Sequence, residues 1–315
     1  MDYYIGNTDY DWFNFLKNHN NPQQPEDINF WKPEGKSTFR AIRQGEPFLL
    51  KLKKKHSNKI AGVASFSRFI KLPLDYAWDV FELQNGVDSY YAFRNKIESY
   101  RLRNGIHNNE CIGCIGCIVL SNPIFFDEKN WVEPPKDWNG NIVTGKRYSC
   151  EDGIGKETWD KVQESINLTK GADISGGNDN NMPPAYNYYM QRTRIGQSAF
   201  RLNVAEAYSN KCAISGECAL PTLQAAHIKP YSESGSNNLT TNGILLRSDL
   251  HRLYDKGYIA ISEDYKVKVS QRLSTEFNSE YYKMYDGKEL SMPSSTDDYP
   301  SKEFLVWHNE HYFQG

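Results

Sequence analysis

The chain has 315 residues, a net charge of −2, and 39% hydrophobic and 14% aromatic residues. That is enough apolar material for packed cores, which excludes a globally disordered chain, and the length fits two domains. The near-neutral charge excludes a uniformly basic nucleic-acid binder, six cysteines over this length exclude a disulfide-built scaffold, and no apolar run reaches the roughly 18 residues of a membrane span.

The opening stretch, MDYYIGNTDYDW, has neither a basic n-region nor an apolar h-region, so a soluble chain in a reduced, cytoplasmic setting is expected, without a membrane partner. EPFLLKL (46–52) and IAGVASF (60–66) read as strands joined by the basic turn KKKHSNK. Residues 40–59 gather Arg40, Arg43, Lys51, Lys53, Lys54, Lys55 and Lys59 against one acid, Glu46. Lysines of this kind keep a sheet edge soluble. They also suit a phosphate backbone, for which Arg40, Arg43, Lys53, Lys54 and Lys55 are the candidates.

Residues 72–102 show helical spacing, first Leu74, Ala77, Trp78 and Phe81, then Tyr91, Phe93, Ile97 and Tyr100, with a break at Gly86. ECIGCIGCIVLSNPIFF is a further strand. Cys111, Cys114 and Cys117 within it have a metal-like spacing, but every third residue of a strand cannot keep one face, so core or half-buried thiols are expected. The Trp- and Pro-rich NWVEPPKDWNGN that follows reads as a loop. Residues 166–190, rich in Gly, Asn, Ser and Pro, read as a flexible linker between a domain at 1–165 and a domain at 191–315. Helical spacing resumes over 194–208 and returns in the final segment, SKEFLVWHNEHYFQG.

The densest chemistry lies in residues 223–258, LQAAHIKPYSESGSNNLTTNGILLRSDLHRLYDKGY. His227 sits in a strand-like run, Asn242 in a turn 15 residues on, and His251 a further 9 residues on in a helical pattern. Imidazole is the natural base near neutral pH. His251 and Asp255, at i and i+4, share a helix face and can point at one cation. Asn242 before Gly243 can bond backbone and hold the loop that orients a base. Phosphodiester hydrolysis needs such a base together with positive charge at the leaving oxygen. Cys212 and Cys218 make half of a zinc ribbon at most, so they read as packing of the turn CAISGEC.

The stretch CAISGECALPTLQAAHIKPYSESGSNNLTTNGILLRSDLHRLYDKGYIAI resembles the HNH nucleases of the ββα-metal fold over about residues 200–272. The resemblance implies His227 as general base, Asn242 as orienting amide and His251 as metal ligand, with Asp255 where other members place a further ligand for Mg²⁺ or Mn²⁺. Ala226 departs from the pattern, since many HNH enzymes carry an acid or histidine just before the base. Gln224, two residues back on the strand, is the nearest substitute, although an amide ligates more weakly than a carboxylate.

Three stretches in the first half, YYIGNTDYDWFNFL, NFWKPEGKSTFRAIRQGEPFLLKL and IAGVASFSRFIKLPLDYAWDVF, resemble a PUA-superfamily module. They are closest to the EVE-like domains attached to HNH nucleases, with SRA domains as near neighbours. The resemblance implies an α+β chain: an N-terminal β-barrel with helices that takes a flipped, modified base into an aromatic pocket, a linker, and the nuclease. Candidates for that pocket are Trp31 with Asn29 and Phe30, and Trp131 or Trp138 with Asp137. Aromatic stacking and edge hydrogen bonds offset the few kcal/mol that base extrusion costs.

The expected function is a modification-dependent restriction endonuclease acting on double-stranded DNA that carries 5-methylcytosine or 5-hydroxymethylcytosine. The alternatives are an HNH endonuclease that reads unmodified sequence or shape, a modified-base reader whose nuclease half has decayed, and RNA binding by the PUA-like half. One HNH centre cuts one strand, so a double-strand break takes a homodimer or two visits.

Overall fold

The computed structural model describes residues 1–21, 26–35, 38–105, 113–151, 153–171 and 196–315. It divides into two compact units, Met1–Gly196 and Gln197–Gly315. Among the described residues no helix is long and apolar enough to cross a membrane.

The first unit is built on a six-stranded mixed sheet, β1 (Asp2–Thr8), β2 (Ile28–Lys32), β3 (Pro47–Leu52), β4 (Ile60–Pro73), β5 (Cys114–Phe125) and β6 (Gly145–Ser149), in the order β2-β5-β4-β3-β1-β6. β1 and β3 run parallel, and the remaining neighbours are antiparallel. Helix α1 (Tyr10–His19) starts at Asp9, whose Oδ1 accepts from the Trp12 amide at 3.3 Å. Trp12, Phe13 and Leu16 then join a core with Phe48, Leu50 and Leu52 of β3. On the opposite face Leu49 packs with Tyr3, Ile5, Val63 and with Trp159, Val162 and Ile166 of α4 (Gly153–Gly171). All six residues of β3 are buried, which is why PFLLKL is an almost unbroken apolar run.

This arrangement corrects the expected barrel. Among the described strands the sheet stays open, with β2 and β6 as its edges. Register shifts at Val63/Ser65 and Phe66/Arg68 bend β4. Because side chains from α1 and α4 cover the two apolar faces, they are buried without closure.

The helical stretch divides where expected, into α2 (Leu74–Phe81) and α3 (Tyr90–Arg103). Gly86 between them has φ +75°, and a Cβ there would lie 2.1 Å from the Trp12 ring, so only glycine allows this approach. Helix α4 runs to Gly171, into the segment expected as linker, and the rest of that segment lies outside the described residues. Cys117 is buried and free, as expected of a core thiol; Cys114 is disulfide-bonded, unlike the free thiol expected there, and Cys111 lies outside the described residues.

The second unit opens with α5 (Gln197–Ala207). An antiparallel pair, β7 (Leu223–His227) and β8 (Gly243–Arg247), runs directly into α6 (Ser248–Asp255). A short hairpin, β9 (Ile259–Ile261) and β10 (Val267–Val269), then leads through α7 (Arg272–Phe277) to α8 (Lys302–His311). Gly243 lets α5 sit directly on β8: a Cβ there would lie 2.3 Å from Val204 and 2.9 Å from Phe200.

Candidate nuclease site

His227 ends β7, held by packing on one side and a hydrogen bond on the other. Its ring stacks on Phe200 of α5 at 3.9 Å with 14° between the planes. Its Nε2 lies 2.9 Å from Oδ1 of Asn238. A carbonyl oxygen only accepts, so Nε2 carries the proton and the lone pair is on Nδ1. Burial pushes the imidazole below the usual histidine range; the Asn238 bond opposes this, and the charges of His251 and Arg201 add to the lowering. A ring kept neutral in this way has its lone pair available near neutral pH.

Asn242 does not touch that ring. It is fully buried, and its amide holds the loop between the two strands. Nδ2 donates to the Lys229 carbonyl (3.0 Å), Ser236 Oγ (3.1 Å) and the Asn237 carbonyl (2.9 Å), while Oδ1 accepts from the Lys229 amide (2.9 Å). The residue next to Asn237 is Asn238, so Asn242 shapes the loop and Asn238 meets the imidazole.

His251 and Asp255 lie on one face of α6, with Nε2 3.3 Å from Oδ2. Leu250 and Tyr254, on the other side of the helix, are buried and anchor it. Gln224 contributes as a partner to His251: its Oε1 lies 2.9 Å from His251 Nδ1. That acceptor takes the Nδ1 hydrogen and leaves Nε2 on the Asp255 side, where the two could share a cation. One imidazole and one carboxylate, with an amide fixing the tautomer, is a donor set that fits a divalent cation completing its shell with water. Ala226 is fully buried and offers no ligand, and among the described residues no three His, Cys, Asp or Glu side chains converge as a complete metal cage.

Both halves of this chemistry open onto one cleft of about 420 Å³, lined by His227, His251 and Asp255 together with Phe200, Arg201 and His308 among others. The structure therefore brings together His227, His251 and Asp255 and keeps Asn242 behind the loop. The sequence reading missed Asn238, concealed in a run that looks only like turn formers, and Phe200, concealed in the apolar spacing of a helix. It also missed His308, which lies far downstream of the motif. The only signal for Asn238 was its place in the loop between His227 and Asn242. Cys212 is buried and accepts from the Arg247 amide at 3.2 Å, a packing role for that turn, whereas Cys218 is exposed.

The aromatic candidates of the first unit do not converge. Asn29 and Trp31 share one face of β2 and both meet Asn85: Asn29 Nδ2 donates to its Oδ1 (2.9 Å) and Trp31 Nε1 to its carbonyl (2.9 Å). Asn29 is fully buried, and its own Oδ1 has no partner among the described residues. Phe30 alternates to the other face, against Trp12 and Phe48. Trp131 donates to the Phe126 carbonyl at 3.2 Å and meets Phe13 edge-on. Asp137 is engaged by Lys146 and by Tyr148 Oη at 2.9 Å, and Trp138 lies over Lys51.

The basic candidates differ in exposure. Arg40, Arg43, Lys53, Lys54 and Lys55 are exposed, and Lys53 lies 3.6 Å from Asp9. Lys51, counted in the same run, is buried in β3 and belongs to the core.

Residues 212–262 match the family model described as HNH endonuclease. No curated protein matches the chain. Among solved structures, this chain is similar to a modification-dependent TagI restriction endonuclease over 92% of its own length and 76% of that chain, at 12% identity and a TM-score of 0.31. Residues 212–262 thus form an HNH endonuclease domain, and the protein is a DNA endonuclease; HNH endonucleases typically use a divalent metal.

Proposed function

We propose that this protein is a modification-dependent restriction endonuclease of the cytoplasm. In this reading the first unit is a PUA-superfamily, EVE-like reader of 5-methylcytosine or 5-hydroxymethylcytosine extruded from duplex DNA, and the second unit hydrolyses a nearby phosphodiester. The observation that carries the nuclease half is the oriented, half-buried His227 in one cleft with His251 and Asp255. His227 Nδ1 takes the proton of the attacking water. Phe200 and Asn238 hold the ring in place, and Asn242 holds the loop that presents Asn238. His251 and Asp255 hold Mg²⁺ or Mn²⁺, which supplies Lewis-acid stabilisation of charge on the phosphate and leaving oxygen. Arg40, Arg43, Lys53, Lys54 and Lys55 offer sequence-independent phosphate contacts.

The reader half is supported by polar and aromatic groups near β2, where the buried Asn29 Oδ1, close to Trp31, lacks a partner among the described residues. A double-strand break is made by a homodimer or in two visits. Cleavage of matched plasmids carrying cytosine, 5-methylcytosine or 5-hydroxymethylcytosine, with Mg²⁺ and with Mn²⁺, tests both halves. Cutting confined to modified DNA is expected. Equal cutting of all three would keep the endonuclease and replace the sensor with a reader of unmodified sequence or shape. Trp31→Ala is expected to erase the preference, and an unchanged preference would place the pocket elsewhere.

A further inference from the structure

One wall of the nuclease cleft comes from a part of the chain that the HNH match does not reach. His308, in α8, and Tyr312, just beyond it, line the same cleft as His227, His251 and Asp255. His308 is 2% exposed. Its ring stacks on Tyr254 at 3.9 Å with 7° between the planes, and Tyr312 lies on it at 5.6 Å and 11°. A phenylalanine would stack equally well, yet the imidazole brings two nitrogens into this stack. Nε2 lies 3.3 Å from the Tyr254 carbonyl, and Nδ1 is buried with no partner among the described residues. An unmet buried acceptor of this kind is destabilising, so the residue is a poor choice for packing alone.

The neighbouring contacts explain it. The last carbonyls of a helix have no partner within the helix; at the end of α6 the following turn supplies some, with the Gly257 amide donating to the Tyr254 carbonyl at 2.9 Å and the Tyr258 amide to the Leu253 carbonyl at 2.9 Å, and the C-terminal segment adds more. Besides the His308 bond to Tyr254, Gln314 Nε2 donates to the Lys256 carbonyl at 2.7 Å and the Gln314 amide to the Gly257 carbonyl at 2.9 Å. Gly257 has φ +74°, and a Cβ there would lie 1.9 Å from the Tyr312 carbonyl, so the two backbones are in direct contact. Residues 308–314 therefore hold residues 254–257 by three hydrogen bonds and a close backbone contact. Asp255 lies inside that grip, and its carboxylate faces His251.

We propose that α8 and the residues after it complete the nuclease site, with His308 a positioning residue that fixes, through the Tyr254 carbonyl, the helix end presenting Asp255 beside His251. The proposal rests on the reading of His251 and Asp255 as the metal-holding pair. The donor N–H of His308 sets the height of the last turn, the aromatic stack sets its tilt, and the two Gln314 bonds keep it from fraying.

The test uses the full chain and Mn²⁺ itself, measured by calorimetry or by electron paramagnetic resonance without DNA, alongside steady-state cleavage. His308→Phe keeps the stack and removes the donor. The expected result is a fall in Mn²⁺ affinity of about tenfold or more and a drop in kcat with KM for DNA unchanged, while the melting temperature holds. His308→Gln restores a donor and is expected to recover part of both losses. Gln314→Ala, at a half-buried position, weakens the same grip without touching the stack and is expected to move Mn²⁺ affinity in the same direction. Unchanged Mn²⁺ affinity and kcat in His308→Phe and Gln314→Ala would overturn the proposal while leaving the His251–Asp255 reading in place. Absence of Mn²⁺ binding by the unsubstituted protein would remove that reading and the proposal with it.

Discussion

His227 and Asn238 meet at 2.9 Å between Nε2 and Oδ1, and this contact decides which nitrogen of the imidazole is free to act as a base. With the proton on Nε2, Nδ1 alone is basic, and Phe200 behind the ring prevents it from turning over. Removing the base tests the assignment directly. His227→Ala is expected to lower cleavage by about a thousandfold while leaving DNA binding in a filter or mobility assay intact. Nicking at the original rate would remove His227 from the role.

Asn238→Ala is expected to act on the pH profile. Its bond favours the charged imidazolium and so opposes the lowering caused by burial. Without it the imidazole titrates lower still, and the acid limb of the cleavage rate moves to lower pH. The plateau falls about fivefold, corresponding to about 1 kcal/mol of lost orientation. A limb that stays in place would show that the bond does not govern the base.

Asn242→Ala is expected to be a stability variant first. The side chain satisfies backbone at Lys229 and Asn237 from a fully buried position, so its loss leaves several polar groups unmet. A destabilisation of about 3 kcal/mol is expected in urea unfolding. Unchanged stability with abolished cleavage would instead indicate direct contact with the substrate.

The proposed metal pair is checked by removing the ion and one ligand separately. EDTA is expected to abolish cleavage, and Mg²⁺ or Mn²⁺ to restore it. Asp255→Asn keeps the shape of the side chain but loses its charge, so the divalent-ion concentration for half-maximal rate rises about tenfold or more. A variant with the same metal requirement would place the ion elsewhere.

Lys51 gives a prediction at alkaline pH. It is 1% exposed in β3, bonds Asn7 Oδ1 (3.3 Å) and the Leu52 carbonyl (3.0 Å), and lies over Trp138 at 4.9 Å. Burial pushes its ammonium down to about 8 from the ordinary 10.5. Between those values the unfolded chain binds more protons than the folded one, so this residue makes stability rise with pH across that window. The rise amounts to about 3 kcal/mol at most. Lys51→Met is expected to lose that slope and to be at least as stable at pH 7. Parallel pH–stability curves for the two proteins would refute the assignment.

Much of the nuclease half was legible in the chain. The spacing of His227, Asn242 and His251, and the i,i+4 relation of His251 to Asp255, are short-range facts that a ββα unit converts directly into geometry. The division of the 72–102 stretch at Gly86 was legible for a similar reason, since a single backbone angle decides it. Asn238 and Gln224 were harder. Each is ordinary in its own neighbourhood and acquires a task only when the loop folds back on the imidazole or the strand pairs beneath the helix. Lys51 looked like part of a basic surface because charge in a sequence says nothing of which way a strand faces.

The sequence alone determined that His227, Asn242, His251 and Asp255 lie within one short stretch, and that this stretch carries an HNH endonuclease domain. The tertiary structure decided the rest. It left the first sheet open because helices cover both of its faces, and it set Phe30 apart from Asn29 and Trp31 because a strand alternates. It also brought His308 to a cleft more than fifty residues upstream, where it adds a second donor to the Tyr254 carbonyl at the end of α6. Periodicity and spacing encode contacts within an element, whereas contacts between distant elements are chosen only when the whole core packs.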